Sequence, residues 1–418
     1  MKKRQYRLAL FAGGIAGASI LGCLFPSVSA LADTKTTYKT ELAGDPTTTF
    51  DQYLVMDQEA NVPNVTFAYA VKAGEEKTYQ MDHKTFTVLP GVDAELVKIT
   101  GTADKEIACH PGDSTSDDVN TLVKDYDKTY QKYAKKTAVL DFSACHFTEP
   151  GVYRYIITES GVNQAVENDS LSERIVDVYI ENAEDSHTDG NVTTEGLKFA
   201  GYVLHSSENE LPEDVDAVAL AAEEIDASGA DTGSKEAGFT NIYDSANLTI
   251  RKEVEGNQAS HDKYFAVTAS ISDAVPGTVY TVDISKAQSV TEENAATKEE
   301  NEGQTNVTAI TTDENGTAEQ TFYLQHGQEI TINGLSTDTS YKVSEENEDY
   351  IPTDESVDGY EDPVSGVISG KDVNVSFLDE KNGIIPTGIK SISVPVIIAT
   401  VSGGAFVLAA VKKRKMQK

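Results

Sequence analysis

Three ionisable residues stand in strands at positions where apolar ones belong. In Leu248–Val254 (LTIRKEV), alternation puts Leu248, Ile250, Lys252 and Val254 on one face. In Tyr341–Glu345 (YKVSE), Tyr341, Val343 and Glu345 share a face; in Val373–Asp379 (VNVSFLD), Val373, Val375, Phe377 and Asp379 do. Each strand thus points one charged group into an apolar interior. A buried charge is costly unless paired or neutralised. Burial favours the neutral form of an amine and of a carboxyl alike. A neutral amine is a nucleophile, and a protonated carboxyl with a polarised carbonyl is an electrophile. Lys252 and Asp379 are therefore matched to condense into an isopeptide bond with loss of water. Glu345 would shuttle the proton and stabilise the tetrahedral intermediate. A single inward charge would argue for no more than a strand end or a buried salt bridge. Three at matching phases favour the bond.

The elements that must position these groups read as strands. Runs rich in Val, Ile, Thr, Tyr and Phe are punctuated by Gly, Pro, Asn and Asp. They include Thr66–Val71, Gly151–Glu159, Arg174–Ile180, Leu248–Val254, Tyr264–Ile271, Tyr341–Glu345 and Val373–Asp379, a spacing that suggests β-sandwiches. Val119, Leu122, Val123, Tyr126, Tyr130 and Tyr133 recur at helix spacing and predict a helix inserted in a loop; Asp214–Ile225 predicts another short one. Ser206–Gly238 and Lys286–Asn306 are polar and long for loops. A weak repeat recurs in both halves: a Tyr-x-(Ile/Val)-x-Glu strand ending at Glu159 or Glu345, then a Phe-x-(Asn/Asp) strand ending at Asn241 or Asp379. The repeat sets domains at 33–246 and 247–383.

Both ends read as targeting segments. Basic Met1–Arg7, apolar Leu8–Phe25 and small residues up to Ala32 form a signal peptide, residues 1–32. A lipoprotein site at Cys23 is disfavoured, because Leu21 stands where a small residue is usual. Ser391–Val411 is long and apolar enough to span a bilayer, and Lys412–Lys415 follows as a basic stop. The net charge of −34 argues against nucleic-acid partners. Beyond Cys23 only Cys109 and Cys145 remain, which could form a disulfide or stay as two buried thiols. The seven histidines show no HExxH spacing, and no Gly-rich phosphate loop or nucleophile elbow appears. Asp313–Gly316 predicts a hairpin turn. No cofactor and no metal site is expected.

Ala60–Phe67 (ANVPNVTF), Leu140–Ser143, Phe147–Tyr155 (FTEPGVYRY), Leu248–Lys252 and the two glutamate strands resemble the backbone pilins of streptococcal-type Gram-positive pili. The resemblance covers most of the mature chain. It implies two tandem immunoglobulin-like β-sandwich domains with internal isopeptide bonds, in which a first-strand lysine joins a last-strand asparagine with help from a glutamate. Lys252 and Glu345 match that pattern directly, and Asp379 replaces the usual asparagine. In the first domain Glu159 matches the glutamate and Asn241 the acceptor. Gln52 stands at the lysine position, and an amide cannot serve as the nucleophile. That domain is therefore expected to lack its cross-link, with Gln52, Glu159 and Asn241 in a buried hydrogen-bonded cluster. Lys39 lies too far upstream to be a ready substitute.

Ile384-Ile-Pro386-Thr387-Gly388 is similar to the variant sorting signal of such shaft pilins, cut between Thr387 and Gly388 by a sortase. The family's polymerising lysine lies just before the last strand of the first domain, where this chain has Lys235. Exposure on a loop would suit it to an enzyme. The resemblance implies a secreted, wall-anchored structural subunit of the cell surface, not an enzyme. Its partners would be a class C-type sortase, neighbouring identical subunits, tip and base pilins and peptidoglycan. A monomeric peptidoglycan-anchored adhesin is the alternative, and a surface enzyme or nutrient-binding protein a weaker one.

Overall fold

The computed structural model describes residues 35–81, 84–117, 130–160, 165–183, 186–189, 192–205, 238–285, 305–353 and 363–383. Outside them lie the signal peptide with Cys23, most of the expected 119–133 helix, the Asp214–Ile225 segment, Lys235, and the sorting signal with Pro386, Thr387 and Gly388. The described chain is all-β. Among the described residues no α-helix occurs, only a short 3-10 turn at Ala94–Leu96. None of their helices is long and apolar enough to cross a membrane.

The chain forms two compact units. Unit 1 takes the chain up to Val55, Val65–Cys109 and Ser114–Ile242; unit 2 takes Met56–Asn64, His110–Asp113 and the chain from Tyr243. In unit 2 the strand Ser245–Glu255 pairs antiparallel with Glu329–Ser336 and parallel with the last strand, Val373–Glu380. A second, four-stranded sheet holds Ala318–Leu324, Phe265–Ser272, Ser340–Glu345 and Val364–Val367. The sheets face each other across one apolar core that draws Leu248, Ile250 and Ile332 from the first and Val267, Phe322 and Val343 from the second. Asp313–Gly316 forms a turn: Asp313 Oδ1 accepts from the main-chain N–H of Asn315 and of Thr317, both at 2.9 Å. Gly316 supplies the left-handed φ of 72°.

Unit 1 repeats the plan. Its second strand, Thr47–Met56, which follows Lys35–Ala43, runs parallel to its last, Gly238–Tyr243. The other sheet carries Val65–Ala73, Gly151–Ser160, Glu173–Asn182 and Val192–His205. Phe50 and Phe239 of the first sheet pack on Tyr69 of the second at centroid distances of 5.0 and 5.5 Å. The seven strands expected from alternation all appear, with ends shifted by up to three residues. The helical reading fails at its C-terminal end: Tyr133 lies in the strand Lys132–Asp141, with its ring edge-on to Tyr53 of the neighbouring strand Thr47–Met56 at 5.6 Å. A tertiary partner of this kind overrides a local period.

Candidate functional site

Unit 2 brings Lys252, Glu345 and Asp379 together. Along Ser245–Glu255, Leu248, Ile250, Lys252 and Val254 are buried in alternation. Lys252 stands opposite Phe377 and Val254 opposite Asp379, so Lys252 and Asp379 are offset by one inward step on adjacent parallel strands. Glu345 comes from the facing sheet, where it pairs with Val267. Lys252 Nζ lies 2.6 Å from Asp379 Oδ2 and 2.7 Å from Glu345 Oε1, with all three side chains 0% exposed. The Phe265 ring covers the amine at 4.5 Å from its centroid, and Tyr350 meets Phe265 edge-on. Asp379 Oδ1 has no hydrogen-bond partner among the described residues.

One amine and two carboxyls share a dry interior, where a charged group is costly unless it is paired or hydrogen-bonded. Condensing the amine with one carboxyl would leave a neutral amide in their place. The geometry therefore permits the reaction and the burial favours its product.

Unit 1 brings Gln52, Glu159 and Asn241 together in the same way. Gln52 stands opposite Phe239 and Leu54 opposite Asn241, the register of Lys252–Phe377 and Val254–Asp379. Gln52 Nε2 donates to Asn241 Oδ1 at 3.2 Å, and Asn241 Nδ2 donates to Glu159 Oε2 at 3.2 Å. The sequence reading missed a fourth member, Tyr69. Its hydroxyl donates to Gln52 Oε1 and sits 3.4 Å from Glu159 Oε1. Tyr69 pairs with Glu159 as Val267 pairs with Glu345, so it holds the position of a valine in unit 2. Burial pushes the Glu159 carboxyl up to about 7, against the lowering effect of the Asn241 hydrogen bond. Lys39 is exposed on the strand Lys35–Ala43 and does not enter this cluster.

A second arrangement missed from sequence holds the start of the last strand of unit 1. Buried Arg174 donates through Nε to Gly238 O at 2.8 Å, through Nη1 to Leu171 O at 2.6 Å and through Nη2 to Asp169 Oδ2 at 2.6 Å, and it stacks on Phe239. Asp169 Oδ2 also accepts from Thr240 N at 2.7 Å. A Cβ on Gly238 would stand 1.7 Å from Asp51 O, so only glycine fits there. A further buried pair, Arg154–Asp177, joins two neighbouring strands with bidentate geometry; it is a structural tie.

The disulfide alternative is not realised. Cys109 and Cys145 are both buried thiols. Cys109 ends the strand Glu106–Cys109 opposite Val65, whereas Cys145 Sγ faces Asp93 O at 3.8 Å and burial pushes its thiol up to about 11.

A family model described as a domain of unknown function (DUF7601) matches residues 246–381. No curated protein matches the chain. Among solved structures the chain is similar to the major pilin protein T3.2 from Streptococcus pyogenes, at 16% identity and TM-score 0.48, over 81% of this chain and 98% of that one. It is also similar to another major pilin from Streptococcus pyogenes, at 18% identity and TM-score 0.45, over 82% of this chain and 100% of that one.

Proposed function

We propose that the chain is the shaft subunit of a covalently polymerised, sortase-assembled surface pilus, and that unit 2 is reinforced by an autocatalytic Lys252–Asp379 isopeptide bond. The observation that carries the second statement is the fully buried contact of Lys252 Nζ with Asp379 Oδ2 and Glu345 Oε1 at 2.6 and 2.7 Å. Lys252 Nζ attacks Asp379 Cγ. Glu345 takes a proton from the nitrogen and returns it to the departing oxygen. The Nζ–Cγ bond forms, a Cγ–O bond breaks, and one water leaves. Because the joined strands are the first and last of the unit, the bond closes nearly the whole domain into a covalent loop.

The first statement rests on the order of segments: signal peptide 1–32, Pro386-Thr387-Gly388, an apolar span and a basic tail. A sortase of class C type would cut after Thr387, hold it as a thioester, and pass it to an amine. Lys235 of the next copy is the proposed acceptor, with peptidoglycan the acceptor at the base. Unit 1 is proposed to lack a cross-link, with Gln52 and Asn241 hydrogen-bonded where a lysine and its acceptor would react.

The test is the intact mass of the region from Asp33 to Thr387, with peptide mapping. One water below the sequence value, with the Lys252 and Asp379 peptides joined and Asn241 intact, is expected. An unchanged mass refutes the bond. For polymerisation, Lys235→Ala should abolish high-mass covalent ladders on the cell surface while leaving anchored monomer. Persistent ladders mean another lysine is the acceptor; no ladders in the unaltered chain mean a monomeric wall-anchored adhesin.

A further inference from the structure

The chain does not leave unit 2 loosely after its last strand. Lys381 N donates to Glu255 O at 2.9 Å and Gln258 N to Lys381 O at 3.0 Å, so main-chain pairing with the first strand and its turn continues past Glu380. A side chain then takes over. Asn257 Nδ2 donates to Gly383 O at 3.2 Å, and Gly383 N donates back to Asn257 Oδ1 at 2.7 Å. Asn382 Oδ1 accepts from Asn257 N at 3.1 Å. The Asn257 carboxamide thus gives Gly383 the paired donor and acceptor that a strand neighbour would give.

The turn is shaped for this contact. Gly256 has φ +108°, and a Cβ there would meet Lys381 O at 2.4 Å; a Cβ on Gly383 would stand 1.8 Å from the Gln258 amide. The Lys381 ammonium is fixed by Asp349 at 2.6 Å and lies over the Tyr350 ring. Asn257 and Asn382 are exposed. They contribute nothing to the apolar core or to the Lys252 cluster, yet they secure the residue directly before Ile384–Gly388.

We propose that the Asn257–Gly383 clasp is a positioning element for transpeptidation, an inference that rests on reading Ile384–Gly388 as the sorting signal. Four residues, 384–387, separate the last clasped residue from the scissile bond. They reach at most about 14 Å when fully extended. An enzyme engaged at Thr387 must therefore lie against the exit end of unit 2, beside Asn257, Gln258 and Asp349. The clasp holds the signal at that distance before the enzyme arrives, so less ordering is required on binding. Asn257 acts through the tether and touches no reacting atom.

The experiment is a pulse–chase of the full chain in a Gram-positive host carrying a pilus-type cysteine transpeptidase, following precursor into cleaved product. Asn257→Ala should slow processing about tenfold, as loss of the paired hydrogen bonds implies. Unit 2 of that variant should keep its one-water mass deficit and a midpoint within about 2 °C of the parent. Asn257→Asp, which keeps Oδ1 and loses the donor, should fall between. Inserting Gly-Ser-Gly-Ser after Gly383 should slow processing by a similar factor and add little in the Asn257→Ala background, since both lengthen one tether. Processing of Asn257→Ala at or above the parent rate overturns the clasp alone. A parent chain never cut after Thr387 overturns the sorting reading and the clasp with it.

Discussion

The equivalence of Gln52 and Lys252 can be tested by restoring the missing amine. Gln52 and Lys252 hold the same register against Phe239 and Phe377, and Tyr69 stands where Val267 does. The double variant Gln52→Lys/Tyr69→Val therefore rebuilds in unit 1 the arrangement of unit 2, with valine making room for the longer side chain. Asn241 is the acceptor, so the leaving group is ammonia. Glu159, with its carboxyl pushed up to about 7, sits 3.2 Å from Asn241 Nδ2 and can supply the proton that this nitrogen needs to leave. Closing a loop across a sequence separation of 189 is worth about 5 kcal/mol in the chain-entropy model. For a domain of this size each kcal/mol shifts the midpoint by roughly 2 to 4 °C, so about 10 to 20 °C is expected. Tyr69→Val alone opens a cavity and is the proper reference. Intact mass, peptide mapping and calorimetry read the result: one ammonia lost from unit 1, the peptides carrying residues 52 and 241 joined, and a raised midpoint. A double variant that folds normally by circular dichroism but keeps its full unit 1 mass refutes the idea that the amine is the missing component.

In unit 2, Lys252→Ala, Glu345→Ala and Asp379→Ala should each restore the full sequence mass and lower the midpoint. Closing a loop across a separation of 127 is worth about 5 kcal/mol; three unchanged midpoints would sink the cross-link. The two units should also respond oppositely to mild acid. Folding raises the Glu159 carboxyl from 4.5 to about 7, so its contribution to unit 1 is fully present below about 4.5 and is lost as pH rises to about 7. The full effect is up to about 3 kcal/mol, and Glu159→Gln should flatten it. His326 behaves in reverse. Burial first, then His261, Arg251 and Lys252, lower its imidazole from 6.5 to about 4, and its Nδ1 accepts the Val254 N–H at 3.0 Å. The unfolded chain takes up that proton first, so unit 2 loses stability as pH falls from 6.5 toward 4. Calorimetry at pH 7.5 and pH 5 should show the unit 1 midpoint rising and that of unit 2 falling; parallel shifts would contradict both assignments.

What was legible in the sequence was local. Period-two alternation placed Lys252, Glu345 and Asp379 on inward faces, because side-chain direction in a strand depends only on parity. Alternation does not say which strands lie side by side; that expectation comes from the family resemblance, which joins a first-strand lysine to a last-strand acceptor. Tyr69 escaped notice for a different reason. In Val65–Ala73 its aromatic ring is simply the next inward apolar body after Phe67, and its hydroxyl matters only once Gln52 faces it from the other sheet. Arg174 was hidden by distance: its main-chain acceptor at Gly238 lies 64 residues on. Tyr133 shows the opposite failure, a helical period of aromatic residues ended by a sheet that pairs Lys132–Asp141 in place. The two cysteines carried no signal of their separation, since neither lies in a patterned context that fixes its neighbours.

The cluster in unit 1 explains why its differences from unit 2 occur together. Where unit 2 has an amine and a carboxyl, Gln52 and Asn241 place two amides, and an amide presents both a donor and an acceptor to be satisfied. Gln52 Nε2 is served by Asn241 Oδ1 and by Tyr53 O, and Asn241 Nδ2 by Glu159. Gln52 Oε1 would be left without a donor by a valine at position 69, and an unsatisfied buried acceptor costs roughly 1 to 3 kcal/mol. The Tyr69 hydroxyl meets that need. The donors run in one direction, from tyrosine to glutamine to asparagine to glutamate, and end on the only carboxylate. Such a chain polarises cooperatively, so its members should not be energetically independent. Gln52 and Tyr69 should couple in a double-mutant cycle by about 0.5 to 3 kcal/mol. The same coupling makes lysine alone at position 52 a poor fit: with Tyr69 in place the amine meets a hydroxyl and added volume where unit 2 offers a valine. The neutral network and the Lys252–Glu345–Asp379 cluster are thus alternative fillings of one buried register, and the chemistry proposed for the second would turn on position 69 as much as on position 52.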